Sequence, residues 1–258
     1  MDYTTIDFQQ DQAVGTITLN RPEKRNPLSL LVLKELNALF DELKENSEIK
    51  VVIIKAAGKV FSSGHNLTEF LVRDRTNYRE IFHACSTVMM RIQDMPQPFI
   101  AQVSGIATAA GCQLVAACDL AVAEEGALFS TPGVRIGLFC TTPAIPLVRA
   151  IGRKHALDML LTGRMVTARE AESYGLINRV VPADKLEEET TALAQEIARA
   201  SRATLSIGKR AFYAQVNMPE SKAYAFGSTV MVDNLFTEDA LEGIDAFLAK
   251  REPVWKDR

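Results

Sequence analysis

Two glycine-bearing segments carry the residues best placed to do chemistry in this 258-residue chain: Phe61-Ser62-Ser63-Gly64-His65-Asn66-Leu67 and Gly105-Ile106-Ala107-Thr108-Ala109-Ala110-Gly111-Cys112-Gln113-Leu114. The first N–H groups of a helix have no intrahelical acceptor, so a helix start presents donors without spending a side chain. Two such donors converging on one oxygen form an oxyanion hole, which stabilises charge developing on a carbonyl. A thioester carbonyl that becomes an enolate needs that pair. Glycines in such turns also serve plain backbone packing, which remains the alternative use of Gly64 and Gly111.

With Asn20-Arg21-Pro22 before them and Gly175-Leu176-Ile177-Asn178-Arg179-Val180-Val181-Pro182 after them, the two segments make four words in order, and the chain from about Tyr3 to Trp255 resembles the crotonase family, the enoyl-CoA hydratases and isomerases. The words Phe61-Ser62-Ser63-Gly64-His65, Ala107-Thr108-Ala109-Ala110-Gly111-Cys112-Gln113-Leu114 and Met231-Val232-Asp233-Asn234-Leu235 together narrow the resemblance to one subgroup. The resemblance implies an α/β fold, a crotonase-like spiral of ββα units with a C-terminal helical trimerisation region, assembled as a homotrimer or a dimer of trimers. It also implies a lyase-type enzyme of fatty acid metabolism acting on an acyl-CoA or enoyl-CoA thioester. Coenzyme A would be part of the substrate, with no separate cofactor. The backbone N–H groups of His65 and Ala110 fall on the two oxyanion donors, with Ser63, Gly64, Asn66, Leu67 and Gly111 beside them at the substrate.

The resemblance breaks at the two glutamates with which hydratases of the family add water across a double bond. Here those positions read Gln113 and Gly133, and no Asp or Glu occurs from Met95 to Cys118 or from Gly126 to Leu157. An amide can hold a water or a carbonyl but moves no proton at neutral pH, and glycine offers only backbone. Each lost acid–base group is worth about 10² to 10⁴ in rate, so standard hydration is not expected. What remains near the implied pocket is the turn Gly137-Leu138-Phe139-Cys140-Thr141-Thr142-Pro143. Cys140 and Thr141 are its candidates for chemistry, with Leu138 and Gly133 as walls. A Cys140 thiolate could attack a thioester if a base or a lowered pKa supported it; otherwise the residue is a small wall. The His65 imidazole either makes a structural hydrogen bond or faces the substrate. His83, Glu80 and Glu69 lie in or beside the segment that forms a lid in the family. For the CoA end, the resemblance points to Lys24 and Arg25, more weakly to Lys59, and to Phe247, Lys250, Arg251 and Trp255 in a tail that can reach a neighbouring subunit.

Three functions follow from this reading. The first is a CoA-thioester enzyme that stabilises an enolate without the hydratase acids. The second is a non-catalytic acyl-CoA-binding or scaffold protein, and the third is an acyl-CoA decarboxylase or thioesterase.

The elements that must position these residues are legible from periodicity. Val14, Thr16, Thr18 and Leu19 read as a strand and Val51-Val52-Ile53-Ile54 as a fully buried one, with Leu30, Leu33, Leu36, Leu39, Phe40 and Leu43 at helical spacing between them. A second helix over Tyr78 to Met95 precedes the strand Phe99-Ile100-Ala101-Gln102-Val103, and Thr167 with Glu170 forms a capping box. Alternating strands and helices give an α/β core, placed at residues 1–199, and residues 200–258 read as helical, the region to which the resemblance assigns oligomerisation and a lid. The formal charge of −3 without a basic stripe argues against nucleic acid. No apolar run reaches membrane-spanning length. Met1-Asp2-Tyr3-Thr4-Thr5 has neither the basic start and apolar stretch of a secretion signal nor an Arg-rich transit character, so a cytoplasmic protein is expected. Cys85, Cys112, Cys118 and Cys140 show no CxxC and read as buried free thiols, and His65, His83 and His155 are too scattered for a metal site.

Overall fold

The strand periodicities resolve into one twisted sheet clothed by helices on both faces, described over residues 3–258 in a computed structural model; Met1 and Asp2, part of the segment read for a leader, lie outside the described residues. β1 (Ile6–Asp11) and β2 (Val14–Leu19) form an antiparallel hairpin, and β3 (Val51–Ala56), β4 (Phe99–Val103), β6 (Leu120–Glu124) and β9 (Arg179–Val181) follow β2 in parallel. A strand in a parallel sheet is covered on both faces, which is why Val51 to Ile54 are all apolar and all buried. Val52 and Ile54 face the main core with α1 (Leu30–Glu45) and α2 (Arg75–Asp94). Val51 and Ile53 face the opposite way, onto Leu186, Leu193 and Ala194 of α6 (Leu186–Ala198).

A smaller sheet carries the second motif. In it β5 (Ile106–Thr108) runs parallel to β7 (Leu128–Ser130), which pairs antiparallel with β8 (Val166–Thr167). From β5 the chain turns directly into α3 (Ala110–Ala117), and from β7 it passes through a 3₁₀ turn (Pro132–Ile136) into α4 (Thr141–Thr162). The capping box at Thr167 and Glu170 opens α5 (Ala168–Tyr174) as expected. α2 begins three residues before the expected Tyr78, because Asp74 accepts the Asn77 N–H at 2.7 Å and caps an earlier turn.

The last three helices, α7 (Arg202–Gln215), α8 (Glu220–Leu235) and α9 (Glu238–Leu248), pack beside the sheet. The buried Lys209 ammonium on α7 lies 2.7 Å from Asp119 and donates to the carbonyls of Ile92 and Gln97, while the Tyr213 hydroxyl donates to Asp119 at 2.9 Å. Burial pushes the Lys209 ammonium below its ordinary value, and the adjacent Asp119 carboxylate pulls the other way. Among the described residues no helix is long and apolar enough to cross a membrane.

Candidate functional site

The two motifs lock together through their backbones. Ser62 donates its N–H to the Ile106 carbonyl at 3.1 Å, and Thr108 returns a bond to the Ser62 carbonyl at 2.9 Å, so residues 60–65 run as an irregular extra strand against β5. Two further ties hold this strand from the other side. Leu28 donates to Gly64 at 2.8 Å and Ser63 to the Arg25 carbonyl at 3.0 Å. Buried Asn26, which sequence reasoning missed, accepts the Arg21 N–H and donates to the carbonyls of Ala57 and Val60 at 2.8 and 2.7 Å. Thus Asn26, itself held by the Arg21 backbone, clamps the approach to the first motif.

Glycine is required where the motifs cross. A methyl group on Gly64, whose φ is +90°, would sit 2.8 Å from the Ala109 Cβ and 3.3 Å from the Ala110 nitrogen. One on Gly111 would meet the Ser62 carbonyl oxygen at 2.5 Å. Ala109 itself holds φ 51° and ψ −117° at the start of α3, a conformation costly for a residue with a Cβ, and its N–H is spent on the Ser130 carbonyl at 2.9 Å. The result is two amides, those of His65 and Ala110, with no intramolecular acceptor among the described residues.

The His65 ring turns away from this work. Its Nδ1 lies 3.2 Å from the Leu28 carbonyl, and its edge packs on Phe70 and Phe82. Nδ1 therefore carries the proton, which leaves Nε2 a bare acceptor; that atom is buried and unpartnered. Burial lowers the imidazole's proton affinity, and the Leu28 bond only partly opposes this, so the ring is neutral near pH 7.

Ser63, His65, Leu67, Ala110, Gly133, Leu138, Cys140 and Thr141, all singled out in the sequence, line one cavity of about 660 Å³. Its walls also include Phe70, Phe82, Ile136 and Phe139, and one cation, Arg135. No carboxylate among the described residues lines it. Apolar spacing around the expected lid could have revealed the two phenylalanines, and Arg135 stands out as a cation in an acid-free stretch. The other candidates lie elsewhere. Gly64 and Gly111 sit at the crossing, and Asn66 accepts the Thr68 N–H and opens a short 3₁₀ turn. Gln113 is buried on α3 outside the cavity wall, its Oε1 unpartnered. Lys24 and Arg25 are exposed, away from the cavity lining. Phe247 and Lys250 are exposed on the C-terminal region, while Arg251 pairs with Glu242 and the Trp255 indole donates to the Arg199 carbonyl. The acids beside the lid are spoken for: Glu69 accepts the Leu30 N–H and Glu80 pairs with Lys34.

Gly133 and Cys140 fill each other's space. A Cβ on Gly133 would lie 2.1 Å from the Leu138 carbonyl oxygen and 2.7 Å from the Cys140 sulfur. Burial pushes the Cys140 thiol up, opposed by a hydrogen bond from the Gly133 backbone, so at neutral pH it is a thiol rather than a nucleophilic thiolate. All four cysteines are free and buried.

Residues 9–258 match the family model described as Enoyl-CoA hydratase/isomerase. The rat mitochondrial enoyl-CoA hydratase domain-containing protein 3 is 50% identical over 96% of this chain and 83% of its own length, and a putative enoyl-CoA hydratase of Thermus thermophilus is 38% identical over 93% and 96%. The crystal structure of the human enoyl coenzyme A hydratase domain-containing protein 3 superposes with a TM-score of 0.95 at 48% identity, covering 98% of this chain and all of that one. The rat and human proteins carry the name of the subgroup that Phe61 to His65, Ala107 to Leu114 and Met231 to Leu235 suggested. They also correct the expected cytoplasmic location: the rat, mouse, zebrafish and human relatives are all named mitochondrial. The composition of a few N-terminal residues does not fix a compartment.

Proposed function

The chain belongs to the enoyl-CoA hydratase/isomerase family, and from that premise we propose that it binds acyl-CoA or enoyl-CoA thioesters and polarises their carbonyl between the His65 and Ala110 amides without performing ordinary hydration. The observation that carries this reading is the pairing of two unspent amides, on touching motifs, with a cavity wall that holds no carboxylate among the described residues. Preorganised donors act most strongly where water is excluded, and the apolar walls supply that setting.

Reactions open to such a site are those in which the substrate makes its own enolate. Loss of carbon dioxide from a malonyl-type thioester leaves the electron pair of the broken C–C bond in the enolate, so no protein base is needed for that step. Hydrolysis through Cys140 is disfavoured because the thiol is held protonated. A binding-only role is the second reading, favoured by the replacement of both acids, and tight binding without turnover across malonyl, acyl and enoyl thioesters would distinguish it. Lys24 and Arg25 are proposed to meet the CoA phosphates, and Phe247 and Lys250 to reach the ligand from a neighbouring subunit of a trimer or dimer of trimers.

The test is a crotonyl-CoA hydration assay beside calorimetric titration with a non-hydrolysable acyl-CoA, on wild type and on Ala110→Pro. Proline carries no N–H, and because it pushes the preceding residue toward extended backbone that Ala109 does not hold, an unchanged melting curve is a condition of the comparison. Binding without hydration is expected, weakened by about tenfold in the variant, the worth of one hydrogen bond. Brisk hydration that collapses in the variant, or no binding at all, would overturn the proposal.

A further inference from the structure

We infer that Arg135 is a specificity residue that selects thioesters whose acyl chain ends in a carboxylate. The inference rests on the reading that this cavity holds the thioester. The 3₁₀ turn Pro132–Ile136 places Arg135 on the same cavity as the His65 and Ala110 motifs, whose lining also includes Phe70, Phe82 and Phe139. Its guanidinium Nε lies beside the C-terminal end of α4, where a methyl on Gly163 would meet it at 3.3 Å. The guanidinium makes no ion pair or hydrogen bond with any described residue. Among the described residues it is the only permanently charged side chain in the lining.

An exposed, hydrated guanidinium costs nothing while the cavity holds water. Filling the cavity with an acyl chain changes that, because the chain strips water from a cation that has no protein partner. A methyl-ended chain leaves the charge desolvated and unpaired, whereas a carboxylate meets it with two parallel N–H···O bonds. The site therefore discriminates by penalising the apolar competitor as well as by rewarding the anion. Coenzyme A's own phosphates are common to every thioester compared, so a preference between two acyl groups reports the end of the acyl chain. The carboxylate in question is distal: one on the carbon that becomes the enolate would be held back by the same pairing, because losing carbon dioxide discharges it.

The experiment compares glutaryl and pentanoyl CoA analogues in which a methylene replaces the thioester sulfur. The two acyl groups have the same chain and differ in the terminal group. Calorimetry would be run on wild type, Arg135→Met and Arg135→Lys, each checked for an unchanged melting curve. Wild type is expected to prefer the glutaryl compound by about tenfold or more, the worth of a hydrogen bond to a charged group. Arg135→Met should erase the preference while leaving pentanoyl affinity unchanged or tighter, and Arg135→Lys should keep part of it. Pentanoyl binding with no carboxylate preference, a preference that survives Arg135→Met, or equal weakening of both compounds would overturn the inference alone. Failure of wild type to bind either compound would overturn the thioester reading as well.

Discussion

At position 133 the missing acid is a property of the backbone around it as much as of the residue. The Leu138 carbonyl and the Cys140 sulfur occupy the space where a side chain would begin, and the Leu138 N–H closes the turn on the Gly133 carbonyl at 2.9 Å. Restoring the glutamate by Gly133→Glu therefore forces the Leu138-Phe139-Cys140 turn outward. The substitution is expected to destabilise the fold by about 1–3 kcal/mol, the usual cost of overpacking, and to leave crotonyl-CoA hydration absent. Urea unfolding and a hydration assay read the two effects, and a stable, active variant would show that the turn yields. His65 teaches a related lesson, since its backbone and its ring do different jobs. The motif pointed to the amide, but no local pattern could reveal that the imidazole spends its proton on Leu28, which lies 37 residues earlier.

At the scale of elements, the start of α3 and the irregular strand at 60–65 act as one unit, and the strain at Ala109 is confined to their junction. The C-terminal helices show a different character. On α8 and beyond it, Tyr224 is 72%, Phe236 82% and Phe247 81% exposed, more aromatic surface than a lone protein usually leaves in water. The proposed trimer or dimer of trimers would cover it. Sedimentation is expected to give a trimer or hexamer for wild type, and Phe236→Glu to shift it toward smaller species by placing a charge at the contact. A monomeric wild type would contradict the proposed assembly.

For the whole molecule, much of the plan was written locally. The buried parallel strand at Val51 to Ile54, the leucine spacing of α1 and the Thr167–Glu170 capping box are short-range patterns, and each is present in the fold. The family words survived because glycine is demanded where backbones touch, as at Gly64 and Gly111. What could not be read was long-range or partner-dependent: the Asn26 clamp, the lack of a partner for Arg135 among the described residues, and the withdrawal of Gln113 from the cavity lining all depend on which segments meet in space. The compartment was misread because it is not a property of packing at all. The central claim is that a thioester carbonyl lies between the His65 and Ala110 amides. The most direct measurement is the infrared stretch of a ¹³C-labelled thioester carbonyl bound to the protein. A band moved to lower frequency than in water, and moved part of the way back in Ala110→Pro, is the expected result. A band that binding leaves unshifted, or that shifts equally in the variant, would contradict it.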